Sequence, residues 1–309
     1  MVIAFLFPGQ GAQSVGMAQD IHAAYPEARE VFETASRVLG YSMEELCFSG
    51  PEEKLRDTRY AQPALLTVST AILRVLEANE ILPDACAGHS LGEYAALVAA
   101  GKLPFDEALR LIAERGRLMA EADPEGRGGM AAVMGLSPEQ IKELIEKTAG
   151  GRVLEAANFN CPGQIVLSGD KDAIGDTEAP AMALGATNWV RLQVSGPFHS
   201  SRMRAAADAF LPYLSASRFL EGHAGVVANV TAEWHSTEQI VDLLQKQIYS
   251  SVLWEASVRF LIAEGYTSFI EVGAGKVLRG LLRRIDKTLA CQGSGDLESL
   301  GKILSERAG

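Results

Sequence analysis

Ala85-Cys86-Ala87-Gly88-His89-Ser90-Leu91-Gly92 is the stretch on which the reading of this chain turns. Residues 85–87 are a short apolar run suited to a buried strand, and Leu91 to Ala100 reads as a helix stopped by Gly101. Between them a serine stands with a glycine two places away on each side. That is the spacing of a nucleophile elbow, in which a strand turns sharply into a helix and leaves the serine hydroxyl at the apex. The glycines are a steric demand, because a side chain at either place would clash inside the turn. The elbow reading brings covalent acyl chemistry with it. A purely structural Gly-x-Ser-x-Gly turn, on alanines that are poor strand formers, is the alternative.

Further out, apolar strand candidates at Ile3 to Phe7, Ala85 to Gly88, Val226 to Asn229 and Phe269 to Val272 alternate with long amphipathic helices. This alternation predicts a parallel α/β sheet with helices on both faces. Asp123-Pro124-Glu125-Gly126-Arg127-Gly128-Gly129 is the one loop-like shift in composition and marks a domain boundary. Beyond it, strands at Met130 to Met134, Val153 to Ala157, Gln164 to Leu167 and Trp189 to Val194 are interleaved with helices at Ser137 to Thr148 and Asp172 to Leu184. The order is β-α-β-β-α-β, which is ferredoxin-like. Pro180 and Gly185 weaken the second of those helices. The expected organisation is a large α/β domain from residues 1–125 and 197–309, interrupted by a small ferredoxin-like domain at residues 126–196. A cleft between the two is the natural binding site.

With 309 residues, 48% of them hydrophobic, the chain has the material for a large core. A net charge of −11 opposes non-specific binding to nucleic acid or to an anionic membrane surface, since both repel it at long range. Cys47, Cys86, Cys161 and Cys291 are widely spaced and form no C-x-x-C pair, so the reading is free thiols in a reducing cytoplasm, with no zinc site. Met1-Val2-Ile3-Ala4-Phe5-Leu6-Phe7-Pro8 has no basic leader, and its apolar run is too short for a membrane span, so it reads as the first buried strand. Gly9-Gln10-Gly11-Ala12-Gln13 opens like a dinucleotide fingerprint but fails at Ser14. Gly273-Ala274-Gly275-Lys276 lacks the first glycine and the hydroxyl residue of a phosphate loop. Nucleotide binding is therefore not expected.

A serine hydroxyl needs a base, and five histidines are available. His22, His223 and His235 lie in no motif, and successive side chains at an elbow point apart, which makes His89 structural. His199 differs, standing in Ser195-Gly196-Pro197-Phe198-His199-Ser200 where the chain returns to the large domain. The spacing of Met203, Ala206, Ala207, Phe210, Leu211 and Leu214 predicts a helix just after it, whose dipole would keep the imidazole neutral. The bland alternative is a turn histidine without chemistry. Asp106 to Ala122 predicts a helix with an apolar stripe of Ala108, Leu111, Ile112, Leu118, Met119 and Ala122, and Arg115 falls in the middle of it. Arg110, Glu114, Arg117 and Glu121 take the opposite face. An inward guanidinium must meet an anion: either a ligand carboxylate or a buried Asp or Glu of the chain.

Phe7-Pro8-Gly9-Gln10-Gly11, Gln62-Pro63-Ala64, Gly88-His89-Ser90-Leu91-Gly92-Glu93-Tyr94, Arg115-Gly116, Asn160-Cys161-Pro162-Gly163-Gln164, Gly196-Pro197-Phe198-His199-Ser200 and Glu271-Val272-Gly273 together resemble one family in order and spacing. It is the stand-alone malonyl-CoA:acyl carrier protein transacylases, and the resemblance spans nearly the whole chain. It implies an α/β-hydrolase-like large domain, with Ser90 as the acylated nucleophile and His199 as its base. The histidine would be oriented by the main-chain carbonyl of Gln247 rather than by an acid. The amides of Gln10 and Leu91 would form the oxyanion hole, Arg115 would hold the free carboxylate of malonate, and Gln62 and Gln247 would line the acyl pocket. The implied mechanism needs neither a metal nor a bound cofactor, and Phe198 resembles the malonyl-selective form of its loop. The implied partners are malonyl-CoA and an acyl carrier protein, which is acidic and would need a local basic surface, for which Arg279, Arg283, Arg284 and Lys287 are candidates. Two loops depart from the family pattern: Ala274 stands where proline is common, and Gln247-Ile248-Tyr249-Ser250-Ser251 lacks a proline. The competing readings are a serine thioesterase or esterase, and a noncatalytic binding module for acyl-CoA or carrier protein.

Overall fold

The computed structural model describes residues 2–307. Met1, Ala308 and Gly309, at the outer ends of the expected large domain, lie outside the described residues. Among the described residues nine strands follow one another: β1 (Ile3–Phe7), β2 (Ala85–Gly88), β3 (Gly128–Met134), β4 (Leu154–Cys161), β5 (Gln164–Asp170), β6 (Asn188–Arg191), β7 (Gly225–Val227), β8 (Ser268–Glu271) and β9 (Ala290–Gly293). They form two sheets. The first is wholly parallel in the order β7-β2-β1-β8-β9, and the second is antiparallel in the order β4-β5-β3-β6.

In the parallel sheet β1 and β2 are buried at every position, as strands covered by helices on both faces must be. Side chains alternate along β1. Ile3, Phe5 and Phe7 join a core with the helix Thr58–Ala78, while Ala4 and Leu6 pack into a second core with Trp254, Val258 and Leu261. The alanines of β2 are tolerated because the strand lies between β1 and β7, where pairing on both edges and full burial outweigh weak propensity. Phe7 pairs with Gly88 in this register, so the ends of β1 and β2 lie side by side, at the carboxyl edge of the sheet where an open α/β fold binds its ligands.

Residues 128–191 carry the ferredoxin-like strand order with a core of their own, including Ile141, Leu144, Ile165 and Leu167. Ser137 caps the helix Pro138–Thr148 through a capping box with Gln140. The helix expected over 172–184 is instead two short helices, Lys171–Asp176 and Glu178–Ala183. The break is at Thr177, whose hydroxyl donates to the Ile174 carbonyl and accepts from the indole of Trp189. β6 stops at Arg191, so Leu192 to Val194, expected as strand, run as irregular backbone. β7 also ends early, at Val227, which frees Asn229 for the turn described next.

Candidate active site

Gly88 ends β2 and Gly92 begins the helix Gly92–Ala99, so the turn between them is as tight as the sequence spacing implies. A Cβ on Gly88 would stand 1.9 Å from the backbone carbon and oxygen of Gly92, and one on Gly92 would stand 2.2 Å from the Phe7 carbonyl oxygen. Ser90 itself is held at φ 53°, a left-handed conformation that costs a residue with a side chain about 1–3 kcal/mol. The side chain of Asn229, buried just past β7, holds the turn. Its Oδ1 accepts from the Ser90 amide at 2.7 Å, and its Nδ2 donates to the Gly88 carbonyl at 2.7 Å.

His199 Nε2 lies 2.8 Å from Ser90 Oγ, and its Nδ1 lies 2.7 Å from the main-chain oxygen of Gln247. A carbonyl only accepts, so the proton of the neutral ring is on Nδ1 and Nε2 is left with a free lone pair facing the serine. Burial, and after it the charge of Arg115, push the pKa of His199 down to about 3. The helix expected just after His199 opens with a 3-10 turn, Ser201–Met203, that runs directly into Arg204–Ala216. The loop is pinned by Glu155 of β4, whose carboxylate accepts from both the amide and the hydroxyl of Ser201.

Arg115 is fully buried in the helix Phe105–Glu121, with Ala108, Leu111, Ile112 and Met119 buried beside it. Its Nη1 donates to Gln62 Oε1 at 2.6 Å, and its Nη2 donates to Gln247 Oε1 at 2.9 Å and to Ser90 Oγ at 3.0 Å. Its Nε has no partner, and among the described residues no carboxylate forms an ion pair with it. Of the two readings left open by the sequence, the structural pair with a buried Asp or Glu is therefore the one the structure contradicts. The guanidinium also lies 5.6 Å from the centre of the Tyr94 ring. On the other face of the helix, Arg110 pairs with Asp106, and Arg117 with Glu114 and Glu121, as solvated charges.

These groups face a cavity of about 510 Å³ whose lining includes Gln10, Gln62, Ser90, Leu91, Arg115 and Phe198. Met130 of β3 and Asn158 of β4 also border it, so both sheets contribute. The backbone amides of Gln10 and Leu91 have no acceptor among the described residues. The Gln10 side chain is tied to Thr58 Oγ1 at 3.1 Å, and that hydroxyl lies 3.0 Å from Ser195 Oγ. Thus Ser90, His199, Arg115, Gln62 and Gln247 are joined by direct hydrogen bonds, with Gln10, Leu91 and Phe198 on the same wall. His89 Nε2 lies 2.9 Å from Asn160 Oδ1, and His89 too borders the cavity. Arg279 and Arg283 lie apart from this cavity, around a separate depression with Lys276 and Lys287.

Sequence reading missed the support behind the serine. Glu93 is buried, and its Oε1 lies 2.5 Å from His235 Nε2. Its Oε2 accepts from Gln247 Nε2 at 2.6 Å and from the Asn229 amide at 3.2 Å. The signal was available: Glu93 is the one acid in a helix of eight residues that are all buried.

An acyl transferase domain model matches residues 4–303 of the chain. The malonyl CoA-acyl carrier protein transacylase of Bacillus subtilis is 43% identical over 300 residues, covering 96% of this chain and 95% of that protein. The Escherichia coli K12 transacylase of the same name is 43% identical over 303 residues, with 97% and 98% covered. Among solved structures, a malonyl-transacylase in complex with its type II PKS acyl-carrier protein superposes with a TM-score of 0.97 at 40% identity, covering 99% of this chain and all of that one. The Coxiella burnetii malonyl CoA-acyl carrier protein transacylase gives 0.96 at 36% identity, with 99% and 97% covered. A hydrogen-bonded serine–histidine pair on an elbow, a family model matched almost end to end and relatives matched over nearly their full length agree: the chain belongs to the acyl transferase family.

Proposed function

We propose that this enzyme transfers the malonyl group of malonyl-CoA to the phosphopantetheine thiol of an acyl carrier protein, through an acyl-serine intermediate, in fatty acid or polyketide synthesis. Ser90 Oγ attacks the thioester carbonyl while His199 Nε2 takes the hydroxyl proton, and the Nδ1–H bond to Gln247 stabilises the imidazolium that forms. The C–S bond breaks and coenzyme A leaves with the proton that His199 returns. The carrier thiol then gives its proton to His199 and attacks the ester, and Ser90 regains its hydrogen. The amides of Gln10 and Leu91 receive the oxyanion of each tetrahedral intermediate, where donors are worth most because the charge develops there.

The observation that carries malonyl rather than acyl transfer in general is Arg115, a buried cation without an anion and within reach of Ser90. A malonyl carboxylate supplies the missing charge and takes two parallel N–H bonds. Gln62, Gln247 and Phe198 line the acyl chamber around it. The chemistry runs on these side chains and the elbow. Residues 126–196 form a small domain that borders the cleft against a large one formed by 1–125 and 197–309, and the protein works in the cytoplasm. Among the described residues, no helix is long and apolar enough to cross a membrane.

The test is to mix enzyme, malonyl-CoA and a phosphopantetheinylated carrier protein and follow the carrier's intact mass. Enzyme-dependent gain of one malonyl group, with stoichiometric release of coenzyme A, is the expected result. Steady release of coenzyme A without carrier loading would establish the thioesterase reading instead.

A further inference from the structure

Gln247 is bonded from three sides. Its Oε1 accepts from Arg115, and its Nε2 donates both to the Ser90 carbonyl at 2.9 Å and to Glu93 Oε2 at 2.6 Å. A glutamine amide is nearly symmetric in shape, so only its neighbours fix which end is oxygen. Arg115, which only donates, and the Ser90 carbonyl and Glu93, which only accept, all fix it the same way, and Glu93 is the charged anchor of the Nε2 end. A flipped amide would set oxygen against a carboxylate and NH2 against a guanidinium, a double repulsion in a site without solvent. Glu93 is itself held by His235 and by the Asn229 amide, so its carboxylate cannot drift.

We propose that Glu93 is a positioning residue: acting through the Gln247 amide, it fixes the aim of Arg115 and thereby sets the preference for malonyl over neutral acyl groups. The inference rests on the malonyl-transfer reading, with Arg115 as the carboxylate clamp. A carboxylate placed one amide away steadies the guanidinium without occupying it, whereas a direct ion pair would quench it. Burial holds the Arg115 pKa below the usual arginine range, and the Coulombic pull of Glu93, like that of Tyr94, acts against that shift. The same amide belongs to the residue whose carbonyl orients His199, so the clamp and the base share one support.

The experiment measures single-turnover loading of Ser90 by malonyl-CoA and by acetyl-CoA, read as intact mass. It compares the wild type with Glu93→Gln, Arg115→Ala and the double variant. Glu93→Gln keeps the size of the side chain but removes the charge that anchors the Gln247 amide, leaving it held by Arg115 and the Ser90 carbonyl alone. The malonyl-to-acetyl ratio should fall by about tenfold to a hundredfold, the effect of loosening one hydrogen bond to a charged group. In the double variant the ratio should stay where Arg115→Ala alone puts it, because Glu93 acts through Arg115. A merely structural role would slow both acyl groups alike and leave the ratio untouched. If Arg115→Ala abolishes the preference while folded Glu93→Gln retains it, the proposal is overturned and the clamp stands. If Arg115→Ala itself keeps the preference, the malonyl-clamp reading fails and this inference fails with it. Should Glu93→Gln not fold, Gln247→Met cuts the same link from the other side, and an unchanged ratio there overturns the proposal.

Discussion

Arg115 Nη2 stands 3.0 Å from Ser90 Oγ, so the cation that would hold the substrate's carboxylate already touches the atom that would attack its carbonyl. The distance between the two functions of malonate, a carboxylate one carbon away from a thioester, is thereby built into the site. Replacing Arg115 by alanine should reduce malonyl loading of the serine by roughly a hundredfold or more, the worth of two charge-assisted hydrogen bonds, and should relatively favour acetyl-CoA. Loading rates with the two thioesters, taken in parallel, check it.

His199 lies deep and next to a cation, and both conditions act against its protonation. Its pKa of about 3 means that the native ring stays neutral from pH 8 down past pH 5, whereas the unfolded chain's histidine protonates near 6.5. Because the native pKa is the lower of the two, the unfolded state binds more protons between those values. His199 therefore destabilises the fold progressively as pH falls from about 6.5 to about 3. A His199→Gln variant should lose less stability over that window than the wild type, as measured by denaturant unfolding at several pH values. NMR titration of the free enzyme should show no His199 inflection between pH 5 and pH 8. Substrate should move it: a carboxylate on Arg115 offsets the second cause of the depression and raises the basicity of His199 when the ester is about to form.

The elbow depends on Asn229 and on two glycines. Asn229→Ala leaves the Ser90 amide and the Gly88 carbonyl buried without partners and should cost roughly 2 kcal/mol or more, together with much of the acylation rate. Gly92→Ala is more severe, because its Cβ would stand 2.2 Å from the backbone oxygen of Phe7 and neither chain segment can yield. That variant should not reach a folded state, which circular dichroism and soluble yield would reveal.

Phe198 lies beside His199 on the cavity wall, with 6% of its surface exposed. Exchanging it for serine opens space where a methyl branch on the malonyl carbon would sit. Loading by methylmalonyl-CoA relative to malonyl-CoA should rise about tenfold, within the range that a methylene or two commands in a hydrophobic pocket. An unchanged ratio would show that another side chain sets the branch specificity.

Much of this was legible beforehand, for identifiable reasons. The parallel sheet was readable because buried strands such as Ile3–Phe7 are continuous apolar runs, and the elbow because its glycines obey a steric rule that leaves a fixed spacing. Arg115 was legible as an exception, a charge on an apolar stripe. β9 was not, since Ala290–Gly293 is short, lies at the sheet edge and has no apolar pattern of its own. The Glu93–His235 pair escaped for another reason. Its partners are 142 positions apart, and the burial that makes His235 significant is a product of the tertiary fold. The main causes of the His199 shift escaped likewise, because desolvation and the charge of a residue 84 positions earlier leave no local trace in the sequence.

The measurement that tests the central claim most directly is intact mass spectrometry of the purified enzyme after brief exposure to malonyl-CoA, beside Ser90→Ala. The account predicts a single malonyl adduct on the wild type, discharged when carrier protein is added, and none on the variant. An adduct that persists in Ser90→Ala, or malonyl transfer to the carrier by that variant at the wild-type rate, would contradict it.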